Sequence, residues 1–477
     1  MMNFLPIKEK IQSKPPPQAP ILPDELISKI LLLLSLKTIV QLKCVSKSWN
    51  TLISDPIFIQ MHLKISSQNP HLILTPILKY PAKYPLSGVK SFPVSRLLEN
   101  PSINVSGDNF HSSIHSCQII GSCHGLLCLL FHSRYRTLND EYRKYWFCLW
   151  NPATREISKK SGTFEDSNTQ PNIYKFTLGC DISTGTYKVV TLRKVLEQRG
   201  DENKVDWKGQ VRVFTFGDNC WRKVQSCPMI PVILMNIHIN RINNGVHSSG
   251  TVNWLALPNY IQPAYEYGWK SIANAQQFVI VSLDLSTETY TQILLPRCFD
   301  EVPCFQPTLH VLMNCLCFSH DFKRTEFVIW KMKDFGIQES WTQLFRIEYL
   351  KIYHDFNLYK GSEFGTPLLP LHLSRNGDTL ILANCEDDRA IIYNRRDKGV
   401  ERIRISNKLC WFSTMDYVES LVSTHYRSAT STPSTSSMRG STIGKSVQFQ
   451  TDKEDELRDI DSDDEGELSD SDSEDDG

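Results

Sequence analysis

Glu386, Asp387 and Asp388 set three carboxylates side by side, the residue type that hydrolases pair as acid and base. They lie between two runs of β-type residues, where a solvated hairpin tip accounts for them. Cysteine offers a second chemistry. The tightest pairs among the fourteen are Cys123/Cys128 and Cys315/Cys317, and no Cys-x-x-Cys occurs, so the spacing of a structural zinc site is missing. His124, between Cys123 and Gly125, reads as a turn residue, and the thirteen histidines show no ligand spacing beside cysteines or carboxylates. Phosphate-cradling glycine loops, the HExxH helix and the GxSxG elbow are all lacking. The expectation is a chain with no catalytic residue, no metal and no cofactor. One modification is favoured: Ser462, Ser469, Ser471 and Ser473 are each followed by acidic residues, as in "SDDE" and "SDSEDD". That context suits an acid-directed kinase, and each phosphate would add about −1.5 to −2 charge.

Those serines sit in a strongly polarised region. From Asp452 to Gly477 fifteen acidic residues stand against two basic ones, a net of −13; the whole chain is formally neutral, so the rest carries +13. The acidic block reads as a solvated, disordered tail, solubilising or held against the basic body as an autoinhibitor. No concentrated Lys/Arg stripe accompanies the excess, which speaks against nucleic acid as a partner. A membrane is not expected either. The first twenty residues lack a signal-peptide pattern, and Lys29 and Lys37 bracket only seven residues, where a span needs roughly twenty. Scattered cysteines without a secretory signal point to reduced thiols in the cytoplasm or nucleus.

The elements that carry these residues fall into two kinds. After the stiff lead-in "PPPQAP" (Pro15–Pro20), Leu26, Ile27, Ile30, Leu31 and Leu34 follow helical spacing and predict one broad apolar face. Pro23, Asp24 and Glu25 suit a helix start. Ser35 can cap a second helix bearing Ile39, Val40, Leu42 and Val45, and a third short segment holds Trp49, Leu52 and Ile53 before Asp55–Pro56 ends it. Such a three-helix unit is too small to bury all its apolar surface, so another surface must cover part of it, at roughly 1.5–3 kcal/mol per side chain.

From about His71 the pattern turns to short β-rich runs separated by turn residues. Two-part units recur, among them "GSCHGLLCLL…FCLWNPATREI" and "GVHSSGTVNWLAL…FVIVSLDLSTETYTQILL". Each predicts a strand pair, a third strand, a polar turn and a closing strand, the make-up of a propeller blade. Five units are clear, and a sixth blade is expected where "HLILTPILKY" near the start pairs with "CWFSTMDYVESLV" near the end, hiding both open edges. The organisation expected is a flexible lead-in (1–20), an all-α unit (21–65), an all-β propeller (66–422), a Ser/Thr-rich linker (423–451) and the acidic tail (452–477).

Leu22–Pro23, Leu26, Ile30, Leu34, "CVSKSWNTLI" and "DPIF" resemble the F-box, the module that docks on the Skp-type adaptor of cullin-RING ubiquitin ligases. The body resembles the plant F-box-associated domain, in the subgroup described as kelch-repeat-like, through "GSCHGLLCL", "LWNPATRE", "YKVV", "IVSLDLSTETY", "FVIWKMKDFGIQESWTQLF" and "DYVESLV". The resemblance runs from Leu22 to about Ser423. It implies that Leu22, Pro23, Leu26, Ile30, Leu34, Val45, Trp49 and Leu52 make or support the adaptor contact, and that a cullin joins through the adaptor. Two positions depart from the pattern: Ser35 stands where the family usually has proline, and His124 where Asn or Asp is commoner.

The function implied is target recognition for an SCF-type ubiquitin ligase, acting by holding an unidentified protein target near a ubiquitin-charged enzyme rather than by bond chemistry. A propeller binding module outside any cullin ligase is the second expectation. The segment Pro258–Ala275, with Tyr260, Tyr265, Tyr267 and Trp269, is the expected target contact, because exposed aromatics dominate interface energies.

Overall fold

The computed structural model describes residues 22–76, 89–99, 108–109, 117–136, 141–166, 174–198, 205–232, 245–257, 274–352, 368–384, 389–404 and 409–425. The lead-in, the segment holding Tyr260, Tyr265, Tyr267 and Trp269, the acid cluster at 386–388 and the tail with its four serines lie outside these residues.

Four helices open the fold: α1 (Asp24–Leu32), α2 (Leu36–Leu42), α3 (Lys47–Ile53) and α4 (Pro56–Ser66). Side-chain oxygens satisfy the free N–H groups at three of the starts. Ser35 Oγ accepts from Thr38 N, Ser46 Oγ from Trp49 N, and Asp55 Oδ1 from Ile57 N and Phe58 N. The cap expected at Ser35 is therefore formed. The expected three-helix unit is corrected to four helices. Asp55–Pro56 does end α3, but it also starts α4, because aspartate caps the new helix and proline sits in its first turn, where no donor is needed.

Leu31, Leu32, Leu36, Ile39, Ile53 and Phe58 form the helical core. The single apolar face expected of α1 is split. Leu31 and Leu32 turn inward, while Leu26 and Ile30 stay on the outside.

The rest is a six-bladed β-propeller. The chain leaves α4 into β1 (His71–Pro76), β2 (Lys90–Pro93), the short α5 (Val94–Glu99) and β3 (Asp108–Asn109). The first blade follows: β4 (Cys117–Cys123), β5 (Leu126–Arg136) and β6 (Glu141–Asn151), with β7 (Glu156–Ile157) and β8 (Ser161–Asp166) both along β6. The second blade holds β9 (Tyr174–Asp181), β10 (Thr186–Gln198), β11 (Val205–Thr215) and β12 (Cys220–Lys223). In the third, β13 (Ile230–Pro231) and β14 (Val246–Ser248) pair along one edge of β15 (Thr251–Leu257), with β16 (Val279–Asp284) along the other and β17 (Tyr290–Leu294) beyond it. The fourth runs β18 (Thr308–Leu312), β19 (Cys315–Phe322), β20 (Glu326–Met332) and β21 (Trp341–Glu348), ending in the turn-like α6 (Tyr349–Ile352). The fifth is β22 (Leu368–Leu373), β23 (Thr379–Asn384), β24 (Arg389–Asn394) and β25 (Val400–Arg404).

The sixth blade is built from both ends of the fold, as expected. β26 (Leu409–Tyr417) pairs antiparallel with β1, setting His71 opposite Tyr417 and Ile73 opposite Met415. The inner strands β4, β9, β14, β18, β22 and β26 then neighbour one another around the axis. Apolar side chains from facing sheets fill the gaps between blades, for instance Phe147, Phe176 and Phe214 between the first two, and Val213, Trp254 and Val281 between the next two.

The strand directions give the propeller two unlike faces. In blades one to five the inner strand turns into its partner through a short connection on one face, and three of these turns are only two residues long: His124–Gly125, Ser249–Gly250 and Met313–Asn314. All six residues have positive φ, the conformation that matches a two-residue hairpin to strand twist. Connections from second to third strands, and between blades, gather on the opposite face. Among the described residues no helix is long and apolar enough to cross a membrane.

Candidate functional site

Two surfaces could engage partners. The first is helical. Eight of the fourteen exposed large apolar side chains among the described residues fall between Leu22 and Ser66: Leu22, Leu26, Ile30, Leu33, Val45, Ile57, Met61 and Ile65. Leu26 and Ile30 stand four residues apart on α1, with Leu22 just before it and Leu33 at its end, and Ile57, Met61 and Ile65 advance by four along α4, which packs beside α1. Each set is a stripe on one helix side. Concentration of exposed apolar surface in so small a unit marks a contact site.

Of the residues expected to contact the adaptor, Leu22, Leu26, Ile30 and Val45 are exposed and Pro23 precedes the first turn of α1. Leu34, Trp49 and Leu52 are half-buried and pack against the helical core. Leu33 and the α4 stripe add to the expected set; the spacing Ile57, Met61, Ile65 is their signal in the sequence, masked because Asp55–Pro56 serves both as the stop of α3 and as the start of α4.

The helical unit is seated on the tight-turn face of the propeller. Residues 418–424, which follow β26, cross blade one there. Leu421 enters the helical core and is almost fully buried, and Ala153, in the turn between β6 and β7, packs on the same core. Asn151 clamps the crossing. Its side-chain amide donates to Ser420 O at 2.9 Å and Val422 O at 2.7 Å, while its oxygen accepts from Ala153 N at 3.0 Å and Thr154 N at 3.3 Å. Gly125 is required beneath it. A Cβ there would stand 2.4 Å from Val418 O, and its φ is +78°. His124 takes the turn position expected of it, Nδ1 lying 3.3 Å from the Tyr187 hydroxyl.

The second surface is the opposite face. There β5 with β6, and β10 with β11, run on as paired arms to Arg136↔Glu141 and Gln198↔Val205. With eleven residues in β5, β6 and β11 and thirteen in β10, they exceed the six-residue β23 and β24 by at least roughly 15 Å of strand. The first arm is laddered with aromatics: Phe131 stacks on Trp146 at 5.7 Å and Tyr135 on Tyr142 at 5.5 Å, with Lys160 Nζ 4.0 Å from the Trp146 ring centre. Strands β15 and β16, joined by the segment that carries Tyr260, Tyr265, Tyr267 and Trp269, end at this same face.

A buried ion network braces blades two and three. Lys188 Nζ lies 3.2 Å from Asp181 Oδ2 and 3.6 Å from Glu288 Oε1, and it also donates to Leu285 O. Asp181 Oδ1 accepts from Ser183 Oγ at 2.7 Å and Ser286 Oγ at 2.6 Å. Burial works against the Asp181 charge, but these donors outweigh it and hold its carboxyl well below the usual carboxylate range. Every ionised group here is matched, so the network braces the fold and offers no spare acid or base.

The apolar helical unit thus stands on one face of the propeller and the long arms on the other. Residues 20–61 match the F-box domain and residues 84–424 match the F-box associated beta propeller domain. The chain belongs to the family of F-box proteins with an F-box-associated propeller. Curated relatives agree. An F-box/kelch-repeat protein of Arabidopsis thaliana is 27% identical over 337 residues, covering 68% of this chain and 79% of its own length. The F-box protein CPR1 of the same plant is 22% identical over 409 residues, covering 84% and 88%.

Proposed function

We propose that this chain is the substrate-recognition subunit of an SCF-type cullin-RING ubiquitin ligase. The F-box helices would dock on a Skp-type adaptor, and through it a cullin, while the propeller holds a protein target by its long-arm face. The observation that carries this reading is the pair of apolar stripes on α1 and α4, left uncovered while the rest of the helical unit is packed and seated. A kelch-like propeller belongs to the same proposal, since one relative bears that word in its name. So do a non-catalytic role, partners that are proteins rather than nucleic acid or membrane, and residence in the cytoplasm or nucleus.

Target capture is assigned to the arm face, through Tyr135, Tyr142 and Trp146 of the first arm, and the same role is assigned to the Tyr260–Trp269 segment. The test uses tagged full chain in plant extract. Leu26→Asp with Ile30→Asp changes two exposed residues and should leave the fold intact, while recovery of adaptor and cullin falls about tenfold or more. Wild type that is folded yet recovers no adaptor would overturn the ligase reading and leave a propeller binding module acting outside a cullin ligase.

A further inference from the structure

Strands β4 and β9, the innermost of blades one and two, approach unusually closely. A Cβ on Gly121 would stand 2.6 Å from Leu178 Cβ and 3.3 Å from Leu178 Cα. The two backbones therefore pass within about 5 Å, inside the Cα separation that a disulfide requires. Two residues further along each strand, on the same side by strand alternation, come Cys123 and Cys180. Both belong to the core between these blades and are at most 7% exposed. Each thiol is the largest influence on the other's acidity. The neighbouring turn residue His124 is exposed, so the pair lies one residue from the surface, and Val422 of the segment that seats the helices packs on the same core.

We propose that Cys123 and Cys180 are a reversible oxidation site, which peroxide converts to a disulfide stapling blade one to blade two beneath the seat of the helical unit. The hydrogen bond from the Cys123 thiol, reinforced by one from His124, outweighs burial and lowers the Cys180 thiol to about 5. The same contact and burial push Cys123 up. Cys180 is thus the attacking thiolate and Cys123 the resolving thiol. The Cys180 thiolate attacks one oxygen of hydrogen peroxide; the O–O bond breaks, the departing hydroxide takes a proton from solvent and leaves as water, and a sulfenic acid remains. The Cys123 sulfur displaces the sulfenic oxygen, which takes the Cys123 proton and leaves as a second water. Two thiols are oxidised by two electrons and one peroxide is reduced.

The experiment treats reduced full chain with dilute hydrogen peroxide, blocks remaining thiols, and maps non-reduced peptides by mass spectrometry. The expected result is a linked peptide joining the Cys123 and Cys180 segments, lighter by about 2 Da than the two thiol peptides together and lost on reduction. Cys123→Ser and Cys180→Ser should each abolish it. In Cys123→Ser, Cys180 should instead be trapped as sulfenic acid by dimedone. Exposed Cys44, Cys220 and Cys298 serve as oxidation controls. Their oxidation with no Cys123–Cys180 link, or a dimedone adduct on Cys123 in Cys180→Ser equal to that on Cys180 in Cys123→Ser, would overturn the assignment.

Discussion

At the scale of single residues, the Asp181–Lys188 pair has the largest energetic stake. Both side chains are almost completely removed from solvent, and deleting one member of a buried pair costs about 3–5 kcal/mol because the other is left charged. Asp181→Ala should therefore lower the melting temperature far more than Asp284→Ala. Asp284 occupies the equivalent place in the next blade but only accepts two turn N–H groups, from Ser286 at 2.7 Å and Thr287 at 2.9 Å; its loss should cost about 1 kcal/mol. Equal losses in thermal denaturation would reject the network as a brace. "DISTGTYK" and "DLSTETY" were legible as blade turns. Their cross-blade bonds were not, because Ser286 and Glu288 reach Asp181 and Lys188 from another blade and nothing local to either turn encodes the meeting. The same limit applies to Cys123 and Cys180, whose spacing of 57 residues matches no short motif.

At the scale of elements, the seat of the helices rests on one buried amide. Asn151→Ala would free two carbonyls and two N–H groups of the crossing segment, at a cost of about 2–4 kcal/mol. Amide hydrogen exchange should then speed up in residues 418–424 and also in α1, since Leu421 shares the core of the helices; unchanged protection in α1 would mean that the helical unit holds without its seat. Much of the helical unit was readable because caps and apolar spacing act within a few residues: Ser35, Asp55 and the α1 stripe are local signals. Which of the leucines faced out was not readable. Leu31 and Leu34 fit the spacing as well as Leu26 and Ile30 do, and only contact with α2, α3 and Leu421 distinguishes the inner from the outer set.

At the scale of the whole molecule, burial keeps histidines neutral across the propeller. It depresses His247 and His320 to about 4, His372 to about 4 and His310 to about 3. His320 shows the consequence of proton uptake: its Nε2 accepts from Trp330 Nε1 at 3.2 Å, a bond an added proton would remove. Folded values lie below the unfolded value near 6.5, so the unfolded chain binds these protons first as pH falls. Stability should be greatest above about pH 6.5 and decline from there toward pH 4, by on the order of 1 kcal/mol per histidine per pH unit. A melting temperature flat between pH 7 and pH 5 would contradict this. Blade number and ring closure were legible, because each blade repeats the same strand order and the leftover strands at the two ends could only pair with each other. The closure also sets a timetable for synthesis. The helical unit leaves the ribosome well before Leu421, which completes its core, and β26, which completes the ring. At about 5–20 residues per second, a nascent chain waits on the order of 20–70 s between finishing α4 and receiving Leu421. Messages truncated before that codon would yield chains whose helical core lacks Leu421 and is never fully assembled.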